Sequence, residues 1–135
     1  MTSQTVSLEI AKQLKEAGWS KRCLYAYETS PLMRGSTFIQ DEDYESTSYK
    51  PSHVQAPMLH EILEELPYVV WVRKTKFKYS LKVLKLKTEY RIEYSRLDEK
   101  GNPHWIACEF DTNIHDCLAR MWTWAVQEGY ITLNQ

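Results

Sequence analysis

The spacing of apolar residues changes from a helical to a strand-like period and back, which restricts the possible folds more than any other feature. Between residues 56 and 67, Leu59, Ile62, Leu63 and Leu66 recur at the spacing of one helix face. Four period-two segments follow, YVVWV, FKYSLKV, EYRIEYSRL and HWIACEF, and such alternation is typical of antiparallel strands. We therefore predict an α+β fold in which an antiparallel sheet of about four or five strands packs with three helices.

The N-terminal and C-terminal helices carry their own start and stop signals. In VSLEIAKQLKEAG, Thr5 or Ser7 can cap the start and Gly18 suits the residue after the end. In the second segment, FDTNIHDCLARMWTWAVQEGY, Thr112 or Asn113 is the expected cap and Gly129 the expected end. One broad apolar face of this last helix predicts a core position, and it consists of Ile114, Cys117, Leu118, Met121, Trp122 and Ala125.

Length and composition indicate one intracellular domain. The 135 residues suffice for a single α+β domain over 1–135 that buries its own core. Three cysteines make an odd number without close pairing, which favours a reducing cytoplasm over a disulfide framework. We expect no membrane contact, because no apolar run approaches the ~20 residues that span a bilayer and the N-terminus lacks the apolar core of a secretion signal.

A long polar segment separates the first helix from the second. CLYAY at 23–27 reads as a strand, and residues 30–54 read as a long loop with a short strand around Phe38 and Ile39. Loops of this length are uncommon in compact domains unless they are functional or mobile. Its acids and rings make it a candidate protein-contact segment through Asp41, Glu42, Asp43, Tyr44 and Tyr49.

The segment RKTKFKYSLKVLKLK is the strongest local charge signal, because it holds seven cations and no acid while the net charge of the chain is only −1. Alternation places Lys76, Lys78 and Lys82 on one face and Phe77, Tyr79, Leu81 and Val83 on the other. A slip in this alternation at Val83–Leu84 predicts a bulge or bend there. The candidate binding residues of the segment are Arg73, Lys74, Lys76, Lys78, Lys82, Lys85 and Lys87.

These cations permit three interpretations. They form a solvated face or protect an edge strand from aggregation, they follow a phosphate backbone, or they contact an acidic protein. For these cations nucleic acid is a weaker interpretation than a solvated face, since rings that face the core cannot stack on bases.

Catalytic and metal chemistry find little support in the sequence, and we predict neither a cofactor nor a metal site. Cys108 alternates with Ile106 and Phe110 as a buried residue would, and His115 and Cys117 point in different directions on a helix. A structural zinc site needs four ligands in recognisable pairs. His104 and Glu109 are the pair that an enzyme would use if they met across a cleft.

Three segments, SLEIAKQLKEAG, APMLHEILEELP and FDTNIHDCLARMWTWAVQEGYI, resemble small proteins of unknown function from tailed phages and prophages. The resemblance covers about half of the chain and involves capping and core positions. It implies an α-β-α sandwich and a phage or prophage setting in a bacterial host, without an activity to carry over. The last helix departs from the usual pattern, since HDCLA replaces an expected Glu-Ala-Leu-Ala run.

The function predicted from the sequence is therefore binding without catalysis. We expect a phage-associated accessory protein of the bacterial cytoplasm whose partner is another protein. Nucleic-acid binding through residues 73–87 is the alternative, and an enzyme is the third hypothesis.

Overall fold

The computed structural model of the protein describes residues 5–21, 23, 25–28, 37–40 and 53–133. These residues contain three helices, α1 (Leu8–Ala17), α2 (Leu59–Glu65) and α3 (Ile114–Gln127). Among the described residues, no helix has both the length and the apolar character needed to cross a membrane. The strands are β1 (Tyr25–Glu28), β2 (Thr37–Gln40), β3 (His53–Gln55), β4 (Val69–Val72), β5 (Phe77–Lys85), β6 (Tyr90–Leu97) and β7 (Pro103–Asp111).

The predicted α+β class is confirmed, with an antiparallel sheet and three helices. The four segments of period two form one sheet in chain order, β4-β5-β6-β7, so each strand pairs with its sequence neighbour. A second sheet, β2-β1-β3, was not predicted as a unit, although the segments around 23–27 and Phe38–Ile39 were expected to be strands. Both β2 and most of β3 fall in the segment predicted to be a loop.

Helix α3 is the central element of the core. It contacts β6 and β7 on one side and both α1 and α2 on the other. Its predicted apolar face is confirmed, because five of the six residues are buried, and only Ile114 is half-buried. The sheet supplies Val70, Tyr79, Ile92 and Tyr94 to the same core, and each of these side chains is at most 3% exposed.

The predicted caps of α1 and α3 are confirmed. Ser7 Oγ accepts the N–H of Ile10, and Gly18 follows α1 with a φ of 110°, in the left-handed region. Asn113 Oδ1 accepts the N–H groups of His115 and Asp116 at the start of α3.

Two hydrogen bonds join the start of α3 to the start of α1. The N–H of Ser7 donates to Asp116 Oδ1 at 2.7 Å, and the Asn113 side-chain amide donates to the carbonyl of Thr5 at 3.4 Å. Asp116 is 7% exposed, and this burial raises the pKa of its carboxyl while the Ser7 contacts oppose the rise. The two helices thus start from one shared polar junction.

Of the bulge or bend predicted at Val83–Leu84, the bulge is wrong. β5 keeps one continuous register with β6, from Ser80 opposite Ser95 to Lys85 opposite Tyr90. The irregularity lies between β6 and β7, where Tyr94 pairs with Ala107 and Ser95 pairs with Trp105. The skipped residue, Ile106, packs against the core beside Ala107.

The turn between β6 and β7 is organised by one carboxylate. Asp98 accepts the N–H groups of Lys100 and Asn102 at 2.8 and 2.9 Å, and it contacts His104 Nε2 at 2.9 Å. The His104 contact, followed by these backbone groups, lowers the pKa of Asp98 from 3.8 to about 2.

We therefore expect His104→Ala to raise the pKa of Asp98 while the backbone bonds keep it below 3.8. Because the folded pKa is depressed, the carboxylate stabilises the fold above the unfolded pKa, and this contribution is lost as the pH falls through about 2. A carbon-detected NMR titration of the Asp98 carboxyl measures the shift. An unchanged pKa in His104→Ala would show that the histidine does not hold the carboxylate.

Candidate binding surface

The predicted cations divide between a sheet face and its two ends. Lys78 and Lys82 lie within β5, opposite Trp71 and Glu93 respectively. Lys76 does not share that face as predicted, because it has a φ of 61° and belongs to the turn before β5. Arg73 and Lys74 belong to this turn too, while Lys85 ends β5 and Lys87 follows it.

None of the seven cations forms an ion pair with a described residue. The ion pairs of the described chain involve Lys21, Arg91, His104 and Arg120 instead. The candidate residues Asp41, Glu42, Asp43, Tyr44 and Tyr49 lie outside the described residues, so their role as a protein-contact segment stays a prediction.

Alternation along β5 separates Lys78 and Lys82 from the core, as predicted. Tyr79 is buried and Leu81 packs against the core, whereas Phe77 and Val83, at 47% and 44% exposed, reach solvent near the ends of the strand. The face that bears the two lysines is the one turned away from α3.

Strand register identifies the other residues of this face, because directly opposed residues point to the same side of a sheet. Leu84, Arg91 and Phe110 form one row across three strands. A second row contains Lys82, Glu93 and Cys108. A third row contains Ser80, Ser95 and Trp105. We call this surface the open face, and its members are Val69, Trp71, Lys78, Ser80, Lys82, Leu84, Arg91, Glu93, Ser95, Trp105, Cys108 and Phe110.

The open face presents aromatic rings to solvent. Trp71 is 50% exposed on β4, and Trp105 and Phe110 are 49% and 46% exposed on β7. Val69 and Leu84 add exposed aliphatic groups. Rings of this size are normally buried, so an exposed group of them together with cations is a candidate contact surface.

Arg91 is held between two of these rings by a buried acid. Its Nε lies 2.7 Å from Glu93 Oε1, and the Glu93 side chain is only 5% exposed. The contact is an ion pair without aligned hydrogen-bond geometry. The other carboxylate oxygen accepts the indole N–H of Trp105 at 2.8 Å.

The guanidinium of Arg91 is 5.3 Å from the ring centre of Trp105 and 5.6 Å from that of Phe110. Both distances are within cation–π range. Glu93 therefore orients one cation and one indole, and the result is a ring–guanidinium–ring platform along β6 and β7.

The cysteines do not all have the predicted burial. Cys23 and Cys117 are buried, but Cys108 is exposed on the open face, which corrects the prediction that it alternates into the core. The skipped residue at Ile106 explains the difference, since it reverses the alternation of β7 relative to an unbroken strand. Burial raises the pKa of Cys117 to about 12, and its thiol donates to the carbonyl of Glu109.

Among the described residues, no three His, Cys, Asp or Glu side chains are arranged to hold a metal ion.

The residues of the enzyme hypothesis lie apart. His104 is near the start of β7 and pairs with Asp98. Glu109 lies near the end of β7 and lines a shallow cleft of about 260 Å³ between the sheet and the helices, together with Arg120 and Gln13. Burial raises the pKa of Glu109, although Arg120 opposes the rise. Arg120 itself pairs with Asp111.

Sequence reasoning identified the lysines of the open face but missed its rings. Trp71 was available from alternation, because it lies between Val70 and Val72, which point to the core side. Trp105 was available in the same way, because it alternates with Ile106, whereas Phe110 was hidden by the irregular pairing of β7. No family model, curated protein or solved structure matches the chain.

Proposed function

We propose that the protein is a non-enzymatic binding protein and that the open face is the surface with which it holds another macromolecule. The observation that carries the proposal is the coincidence of three half-exposed rings with two cations that have no described acid partner on one side of one sheet. Folding leaves about half of the area of these rings in water, and binding would bury it.

The composition of the surface supports binding rather than solvation alone. Trp and Arg dominate the energy of macromolecular contacts because they combine large apolar area with directed polar groups. A face that served only to keep the protein in solution would carry charges without indole rings, as protected edge strands do. The Arg91–Glu93 pair further supports the proposal, since it orients side chains before any partner arrives.

The biological setting of the proposal follows from the phage resemblance. We place the protein in the cytoplasm of a bacterial host, as an accessory protein of phage or prophage origin. A protein partner, expected from the sequence, remains one candidate class, and the aromatic residues of the open face are the anchors that it would use.

Cys108 provides a direct test, because it is the exposed thiol at the centre of the open face while the other two thiols are buried. Tagged protein on beads is incubated with bacterial lysate, washed and alkylated, and modification of each cysteine is quantified by mass spectrometry. We expect bound material to protect Cys108 and to leave Cys23 and Cys117 unmodified with or without lysate.

Two variants control the test. Trp71→Ser/Leu84→Ser removes exposed apolar groups from the open face, and it should abolish protection. Tyr68→Ser/Leu133→Ser removes a ring and an aliphatic group that are similarly exposed elsewhere, and it should retain protection. The proposal would be overturned if Cys108 were alkylated to the same extent after incubation with untreated, nuclease-treated or protease-treated lysate as without lysate.

A further inference from the structure

We propose that the partner of the open face is a single-stranded nucleic acid, whose bases stack on Trp71, Trp105 and Phe110 while Lys78 and Lys82 pair with phosphates. This inference rests on the proposed function, because it names the class of macromolecule that the same surface binds. Single strands offer unpaired bases to aromatic rings and a regular row of anions to cations.

The charges of the open face favour a polyanion. Lys78 and Lys82 have no acid partner among the described residues, and Arg73, Lys74 and Lys76 extend the positive region beyond one end of β5. At the other end, Lys85 alternates with Leu84 and points to the opposite side of the sheet, and Lys87 follows the strand. The whole chain carries a net charge of −1, so this concentration of cations is local and follows one strand. A phosphate backbone laid along β5 would meet Lys78 and Lys82 on the open face and would continue toward the turn that holds Arg73, Lys74 and Lys76.

The rings lie on the same face as these cations, at the two edges of the sheet. Trp71 is directly opposite Lys78 on β4, and Trp105 and Phe110 lie on β7 at the other edge. Neighbouring strands are ~4.8 Å apart, so the two edges are separated by about 14 Å. Bases can therefore stack toward either edge while their phosphates stay near the central lysines.

Arg91 contributes to binding mainly through the flat surface of its guanidinium and less through its positive charge. Glu93 neutralises part of its charge and fixes the guanidinium between Trp105 and Phe110. Bases stack on guanidinium groups as well as on rings, so the platform offers a continuous stacking surface along the edge of the sheet. The stacked bases of a duplex cannot reach such a platform, and this favours single strands over double strands.

The test is fluorescence anisotropy with labelled single-stranded and double-stranded DNA and RNA of mixed sequence, at low and near-physiological salt. We expect micromolar binding of single strands and weaker binding of duplexes. Trp71→Leu/Phe110→Leu keeps apolar groups but removes two rings, and it should weaken binding ~10-fold or more, given the usual loss per stacked base. Tyr68→Leu is the matched control, because it removes an exposed ring outside the open face.

Charge reversal tests the phosphate contacts separately. Lys82→Glu should weaken binding and flatten the dependence of log K on log salt by about 0.7, the value for one phosphate contact to a single strand. Lys12→Glu on α1 makes the same charge change away from the sheet, and it should leave the slope unchanged. Circular dichroism confirms that each variant is folded.

The outcomes separate this inference from the proposed function. Tighter binding of duplexes, or no loss in Trp71→Leu/Phe110→Leu, overturns base stacking on the open face. Absence of oligonucleotide binding, together with Cys108 protection that survives nuclease and fails after protease treatment, overturns nucleic acid and leaves a protein partner. Absence of both overturns the inference and the proposed function together.

Discussion

Replacing Arg91 with methionine is expected to lower the free energy of unfolding by about 3–5 kcal/mol, because it leaves the Glu93 carboxylate buried without its cation. Glu93 is 4% exposed, so water cannot replace the guanidinium. The contact with the Trp105 indole remains, but one neutral donor does not compensate a buried anion. Urea unfolding followed by circular dichroism gives the loss from the transition midpoint and slope.

The double variant Arg91→Met/Glu93→Leu should be more stable than Arg91→Met alone. It also removes the carboxylate that Arg91→Met leaves without a cation. Replacing a whole buried ion pair with apolar residues often changes the free energy of unfolding little. Arg120→Met is the matched control, since it breaks the pair with Asp111 where the arginine side chain is 39% exposed. Its expected loss is about 0–1 kcal/mol. Equal losses in Arg91→Met and Arg120→Met would show that burial of Glu93 does not set the cost.

Trp122→Ala is expected to produce the largest loss from the core, about 3–5 kcal/mol. Trp122 is 3% exposed on α3, and its ring meets Trp19 edge to face with centroids 5.1 Å apart. Trp19 follows the end of α1, so this pair joins the two terminal helices. A loss of this size approaches the whole stability of a marginal domain.

Trp122→Phe should cost less than Trp122→Ala, because it keeps a ring against Trp19 and leaves a smaller cavity. Urea unfolding compares the free energy of unfolding of both variants with that of the unsubstituted protein. An unchanged slope of this free energy against urea shows that the surface exposed on unfolding is the same. A loss below about 1 kcal/mol for Trp122→Ala would match a surface substitution and contradict a core position.

Features that depend on neighbouring residues could be predicted from the sequence. The Ser7, Gly18 and Asn113 signals act within one turn of the chain, and all three have the expected roles. The four strands of the main sheet follow one another in sequence and pair with their neighbours, so their order needs no long-range information. The start of α2 shows the limit, because Pro57 suits the first position of a helix and α2 begins two residues later.

Features that depend on distant pairing could not be predicted. β1 pairs with both β2 and β3, and the partners of such a strand are selected by packing rather than by local spacing. One skipped residue at Ile106 reversed the expected orientation of Cys108 and Phe110. This single shift placed two residues that were expected in the core on the open face, and a period counted along one strand does not reveal it.

The polar junction between α1 and α3 restricts the order in which the protein can fold during synthesis. The N–H of Ser7 is paired by a carboxylate that is 109 residues later in the chain, and Thr5 depends on a residue 108 positions later. The hairpins of β4 to β7 need only neighbouring segments and can form as they leave the ribosome. The residues at the start of α1 leave the ribosome before the strands do, yet they are among the last to reach their native partners. Until α3 has been made, the apolar side of α1 has no α3 to cover it.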